Sequence, residues 1–252
     1  MQTLTKLLAV SLAAIIAGSA SAQSEYATSF DGLIPGNLNG QDGWVAQTQW
    51  KADGLGTVAN DTSGAFIRAH QINLVGSNTV GESITQTVKF TLSAAQTPSN
   101  DIDSFEEGIL TFGIFDEVGK VNFSPTLSSG IYYFPSTGEL ELRSGLGGGS
   151  ETHFIDLASD LTDPTTWTLS MKTTKKGEDK WDVVTTLTGG TLASPLSLSY
   201  SVSGVSGLEN TPSGVAAGFQ THPSSLGSAG VDTGLFSSVT IEDYSLTVAS
   251  GQ

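Results

Sequence analysis

The sequence predicts an all-β protein, a two-sheet antiparallel β-sandwich, and three observations carry that prediction. Short segments rich in branched and aromatic residues recur along the chain, several of them alternating apolar and polar side chains at period 2. Clusters of Gly, Pro, Asn, Asp and Ser punctuate these segments at intervals of about 8–15 residues, as turns do. No window of about 12 residues keeps a clean 3.6-residue apolar period free of Gly or branched runs, so helices are not expected.

Residues 1–22 (MQTLTKLLAVSLAAIIAGSASA) read as a signal peptide. Lys6 gives a positive start, Leu7 to Ala17 form an apolar core, and Ala20-Ser21-Ala22 is a small-x-small cleavage pattern. The apolar run is shorter than the roughly 20 residues that span hydrocarbon. Cleavage near Ala22 is expected, placing a mature chain 23–252 in the periplasm or outside the cell, with no membrane span of its own. Nothing in 23–252 marks a linker or a repeat, so one sandwich domain is expected there.

The strands follow in order. Ser83 to Leu92 sets Ile84, Gln86, Val88, Phe90 and Leu92 against Thr and Lys. Ile109 to Phe115 is mostly apolar and is expected to be buried on both faces. Gly130 to Phe134 and Glu139 to Arg143 flank Pro135-Ser136-Thr137-Gly138, a hairpin with turn chemistry at its tip. Asp156 to Leu161, before Asp163-Pro164, is the one candidate for a short helical turn. Trp167 to Thr173 alternates Trp167, Leu169 and Met171 on a core face, and the polar turn 175–179 leads to a partner strand, Trp181 to Leu187. Leu196 to Val202, Val215 to Gln220 and Val239 to Val248 complete the set. Gly147-Gly148-Gly149-Ser150 lacks the Lys-Ser/Thr and helix of a phosphate loop and reads as a plain loop.

Three segments together carry a resemblance. They are Phe30-Asp31-Gly32 through Gly36-Asn37-Leu38-Asn39-Gly40-Gln41-Asp42-Gly43-Trp44, the pair Trp167 to Lys172 and Trp181 to Val184, and the closing run Val239 to Val248. The chain resembles the concanavalin A-like (laminin G-like) jelly rolls of secreted bacterial proteins, over nearly all of 26–249. The resemblance implies a jelly roll whose first and last strands share a sheet, and a carbohydrate as partner. In the opening, Gly36, Gly40 and Gly43 permit tight turns, and Trp44 is expected to fold onto the sheet as an apolar cover.

Composition removes other classes. With 10 Lys plus Arg against 25 Asp plus Glu, the formal charge is −15, which repels nucleic acid and anionic lipid. The absence of Cys removes disulfides, thiolate metal sites and Cys nucleophiles. No Gly-x-Ser-x-Gly elbow occurs, and His70, His153 and His222 are too scattered to suggest a zinc site. The Glu-x-Asp-x-x-Glu strand that the resemblance would imply for a glycosidase is missing. Glu139-Leu140-Glu141-Leu142-Arg143 comes nearest and reads as a strand with one face in the core and one in water. No catalytic residue is therefore assigned.

Non-catalytic recognition of a neutral glycan is the leading expectation. A sugar ring stacks on an aromatic while amides and charged groups hold its hydroxyls. The ligand-binding candidates are Trp50, set among polar residues and expected to be exposed, with Tyr132, Trp181 and the chain's two arginines, Arg68 and Arg143. Two alternatives stay open. One is a polysaccharide-degrading enzyme in which Arg68, His70, Tyr132 and Arg143 converge; the other is a structural or adhesive module. The resemblance also implies calcium near the paired chain ends, with Glu25, Asp31, Asp243 and its neighbour Glu242 as candidate ligands.

Overall fold

A computed structural model describes residues 23–60, 67–71, 80–92, 107–115, 127–134, 139–146, 152–157, 165–190, 192–204, 216–221 and 239–249. The predicted signal peptide at 1–22, the hairpin tip at 135–138, the loop at 147–150 and His222 lie outside these residues. Every regular element among them is a strand. In chain order they are β1 (Gln23–Thr28), β2 (Gly36–Asn37), β3 (Trp44–Ala46), β4 (Lys51–Ala52), β5 (Val58–Asn60), β6 (Ile67–Gln71), β7 (Ser83–Leu92) and β8 (Glu107–Phe115). The second half supplies β9 (Leu127–Phe134), β10 (Glu139–Leu146), β11 (Thr152–Leu157), β12 (Thr165–Gly177), β13 (Lys180–Gly189), β14 (Leu196–Ser203), β15 (Ala216–Thr221) and β16 (Val239–Ala249). No helix in the described residues is long and apolar enough to cross a membrane.

The strands form two antiparallel sheets. The nine-stranded sheet runs β14-β13-β12-β7-β16-β5-β4-β2, with β1 also on β16; the seven-stranded sheet runs β11-β10-β9-β8-β15-β6-β3. β16 pairs with β7 along one edge and shares its other edge between β5 and β1, so Gln23 stands opposite Val248. The first and last described strands are therefore neighbours, as the opening and closing motifs lead one to expect.

Alternation explains the core. On β7, Ile84, Gln86, Val88, Phe90 and Leu92 all face inward and are buried. They meet Leu110, Phe112, Ile114, Leu127, Ile131 and Leu142 of the other sheet in one cluster. Each large apolar side chain so buried contributes about 1.5–3 kcal/mol. The middle of β8, residues 110–114, is buried on both faces, as its nearly unbroken apolar sequence predicts.

The opening segment closes one flank. Gly40 and Gly43 turn at φ of 83° and 77°, values open to glycine at no steric cost. Gln41 ties the loop down, accepting from the Ile34 amide at 2.7 Å and donating to the Asn37 carbonyl at 2.6 Å. Trp44 then packs against Tyr26, Phe30 and Tyr244, with ring centroids 5.2–6.1 Å apart.

Two local expectations change. Asp156 and Leu157 belong to strand β11, not to a helical turn, because they continue the ladder opposite Glu141 and Leu140; residues 158–161 lie outside the described set. Lys175, assigned above to a polar turn, is the last buried residue of the inward row of β12, 7% exposed, with its ammonium 5.9 Å from the Trp181 ring.

Candidate functional site

Strand register builds a site on the outer face of the seven-stranded sheet, the face turned away from its partner sheet. On β10, Leu142 and Ser144 point into the core, so Glu141 and Arg143 point outward. On β9, Ile131 points inward and Tyr132 outward, directly opposite Glu141. These three side chains form one cluster. The Arg143 Nε donates to the Glu141 carboxylate at 2.6 Å, and its guanidinium lies 5.5 Å from the centre of the Tyr132 ring.

The cluster is not the half-solvated strand face expected from the sequence. The Arg143 and Glu141 side chains are only 15% and 9% exposed. Shielding of this kind strengthens a charge-assisted bond and holds both groups in one geometry. The guanidinium, carboxylate and ring are thereby held together on this face.

Register also places the second arginine. One transverse row runs Arg143, Gly130, Thr111, Gln220, Arg68, across β10, β9, β8, β15 and β6. Both arginines of the chain therefore stand on one row, roughly 19 Å apart at the usual strand spacing. His70 stands two residues along β6 from Arg68, opposite Gly218 of β15. The sequence shows both arginines but not their common row, which depends on a pairing between β15 and β6 from distant parts of the chain.

The floor between them is braced from below. Gln86 of β7 reaches across the core and donates to the Gly113 carbonyl of β8 at 2.8 Å, and it accepts from the Tyr244 hydroxyl at 3.0 Å. Burial, with Tyr26 nearby, pushes the Tyr244 phenol well above its ordinary range, so it stays a donor.

The tryptophans behave differently from expectation. Trp50 is fully buried, which removes the exposed stacking surface predicted for it. A turn bond from its amide to the Gln47 carbonyl, and its own carbonyl accepting from Leu38, fold it beneath the opening segment. Trp181 is 4% exposed and faces the core, since it alternates in register with Val183, Thr185 and Leu187. All four tryptophans are buried, and Tyr132 is the sequence-predicted aromatic that the outer face retains.

Among the described side chains, the calcium candidates form no cluster of three ligating groups. Asp31 is exposed and accepts from the Ser29 hydroxyl at 2.8 Å. A β-bulge at Glu242 interrupts the pairing of β16 with β7 and separates Asp243 from Ile241. Glu242 itself holds Lys89 at 2.7 Å and accepts from Thr91. Glu25 is placed only by its backbone, on β1. No three His, Asp or Glu side chains gather as a metal site among the described residues.

No protein-family model and no curated protein sequence matches this chain. Solved structures do. The winged bean acidic lectin, solved with methyl-α-D-galactose, superposes with a TM-score of 0.57 at 12% identity, covering 91% of this chain and 99% of that one. Arcelin-5, a lectin-like defence protein from Phaseolus vulgaris, gives 0.53 at 10% identity over 92% and 100%. Lectin II from Ulex europaeus gives 0.52 at 11% identity over 90% and 99%. These likenesses establish the fold: a concanavalin A-like jelly-roll sandwich.

Proposed function

We propose that this protein binds a neutral glycan on the outer face of its seven-stranded sheet. The observation that carries the reading is the Tyr132, Glu141 and Arg143 cluster, an aromatic ring beside a charge-neutral donor and acceptor pair held at 2.6 Å. Sugar hydroxyls both donate and accept, and the C–H face of a pyranose packs on a ring. A neutral cluster on a chain of net charge −15 suits an uncharged sugar better than a uronate. The predicted leader supports an encounter with polysaccharide outside the cytoplasm.

A glycan array with the purified protein tests this, run beside a reducing-sugar assay. Binding without sugar release is the expected result. Tyr132→Ala should weaken it about tenfold or more. The double variant Glu141→Gln/Arg143→Met should do the same while staying folded, because it removes both charges of this pair together. An array with no neutral ligand would sink the reading.

One observation favours a second reading, polysaccharide cleavage at this face: Arg68 shares a row with Arg143, and His70 lies two residues further on. New reducing ends in the assay would replace the binding reading with that one.

A further inference from the structure

A strand at the end of a sheet leaves a row of backbone N–H and C=O groups unpaired, and proteins guard such edges with charge, proline, bulges or short strands. The nine-stranded sheet ends on one side in β2, two residues long; the seven-stranded sheet ends in β3, three residues long, and in β11, which carries Asp156. The remaining end, β14, has none of these guards. It runs eight residues in unbroken register with β13 and holds no charge, proline or glycine. Among the described residues, no strand pairs with its outer edge.

Side chains supply an independent observation. Ser197, Ser199, Ser201 and Ser203 are exposed on the outer face, while Leu196, Leu198 and Tyr200 of the inner row stay only half-buried. Their cross-strand neighbours on β13, Leu187, Thr185 and Val183, are fully buried. An apolar row is thus left partly open along the edge.

Charge points to what covers it. A chain of net charge −15 repels its own copies. No Asp, Glu, Lys or Arg occurs from 183 to 208, the stretch that holds all of β14. Val184, opposite Ser199 on β13, adds an exposed apolar side chain beside the serines. A second copy of this chain can approach this strip without bringing like charges together.

We infer that β14 is an interaction surface for a second copy of this chain, the two β14 strands pairing antiparallel, edge to edge. A two-fold axis at Ser199 sets Ser197 of each copy opposite Ser201 of the other, and Leu198 opposite Tyr200. Serines then meet serines outside and apolar residues meet apolar residues inside. The open backbone groups gain partners, and the half-buried row is covered. The axis stands normal to the sheet, so the seven-stranded sheets of both copies lie on one side of the joint sheet. On the glycan reading above, their outer faces then turn toward the same polysaccharide.

Sedimentation of residues 23–252 across micromolar concentrations, without sugar, tests the pairing apart from the glycan reading. A species of twice the chain mass is expected. Ser199→Lys places an ammonium at the axis in each copy and should weaken the dimer about tenfold or more, with Tm of the chain unchanged. Ser199→Glu should do the same, and mixing the two variants should restore the dimer. Ser245→Lys, on the same face but in the middle of the sheet on β16, should leave it intact. A wild-type chain that stays monomeric overturns the proposal, as does a dimer indifferent to Ser199→Lys. A dimer lost in Ser245→Lys and kept in Ser199→Lys would mean that sheets stack face to face, which also overturns it.

Discussion

Trp50 and Glu141 are both more buried than their sequence surroundings suggest: the indole goes into the core, and the carboxylate, on the outer face, is sheltered beside an arginine. Local composition misleads at Trp50, because the turn at 47–50 sets its direction and the surrounding Gln and Lys residues do not. Gln86 is a similar case. It sits at an apolar position of an alternating strand, and its amide spans both sheets to brace Gly113 and Tyr244. Gln86→Leu should cost about 1–3 kcal/mol, read as a lower denaturation midpoint, because the substitution withdraws a partner from two buried polar groups. An unchanged midpoint would mean that the bridge contributes nothing. The inward position of Gln86 was legible from period 2. Its partners were not, since Gly113 is 27 residues away and Tyr244 is 158.

Among the strands, long alternating ones were legible and short ones were not. β7 runs from Ser83 to Leu92 as its pattern predicts, and β12, β13, β14 and β16 lie within a few residues of expectation. β2 to β5 have two or three residues each, too few to show a period, and form because neighbouring strands offer them an edge. The bulge in β16 is equally silent in sequence. It turns Glu242 onto Lys89 and Thr91. Burial opposes ionisation of Glu242, but the bonds from Lys89 and Thr91 outweigh it and hold its carboxyl below the usual range. A carboxylate depressed on folding stabilises fully above its unfolded value, and that contribution fades as pH falls through the folded one. Glu242→Gln should therefore lower Tm slightly near neutral pH, with the gap closing in acid and in high salt. A gap that widens in acid would contradict the pairing.

Across the whole molecule, two sheets are joined by more than apolar contact. Ser129 and Ser144 of one sheet meet Thr185 and Tyr200 of the other in a hydroxyl network with spacings of 2.6–3.0 Å. Such a network fixes how the layers sit on each other, because a shifted register would strand its members. The jelly roll itself was legible from the opening and closing motifs, which β1 and β16 bring together. The candidate site was not, because only strand order sets its two arginines on one row. The complete burial of the indoles has an optical corollary. Native emission should be blue-shifted and resistant to iodide, then move red in one step on unfolding, while saturating sugar leaves the spectrum nearly still. Fluorescence would thus follow the integrity of the fold, and a silent trace during titration would be equally compatible with an occupied and an empty face.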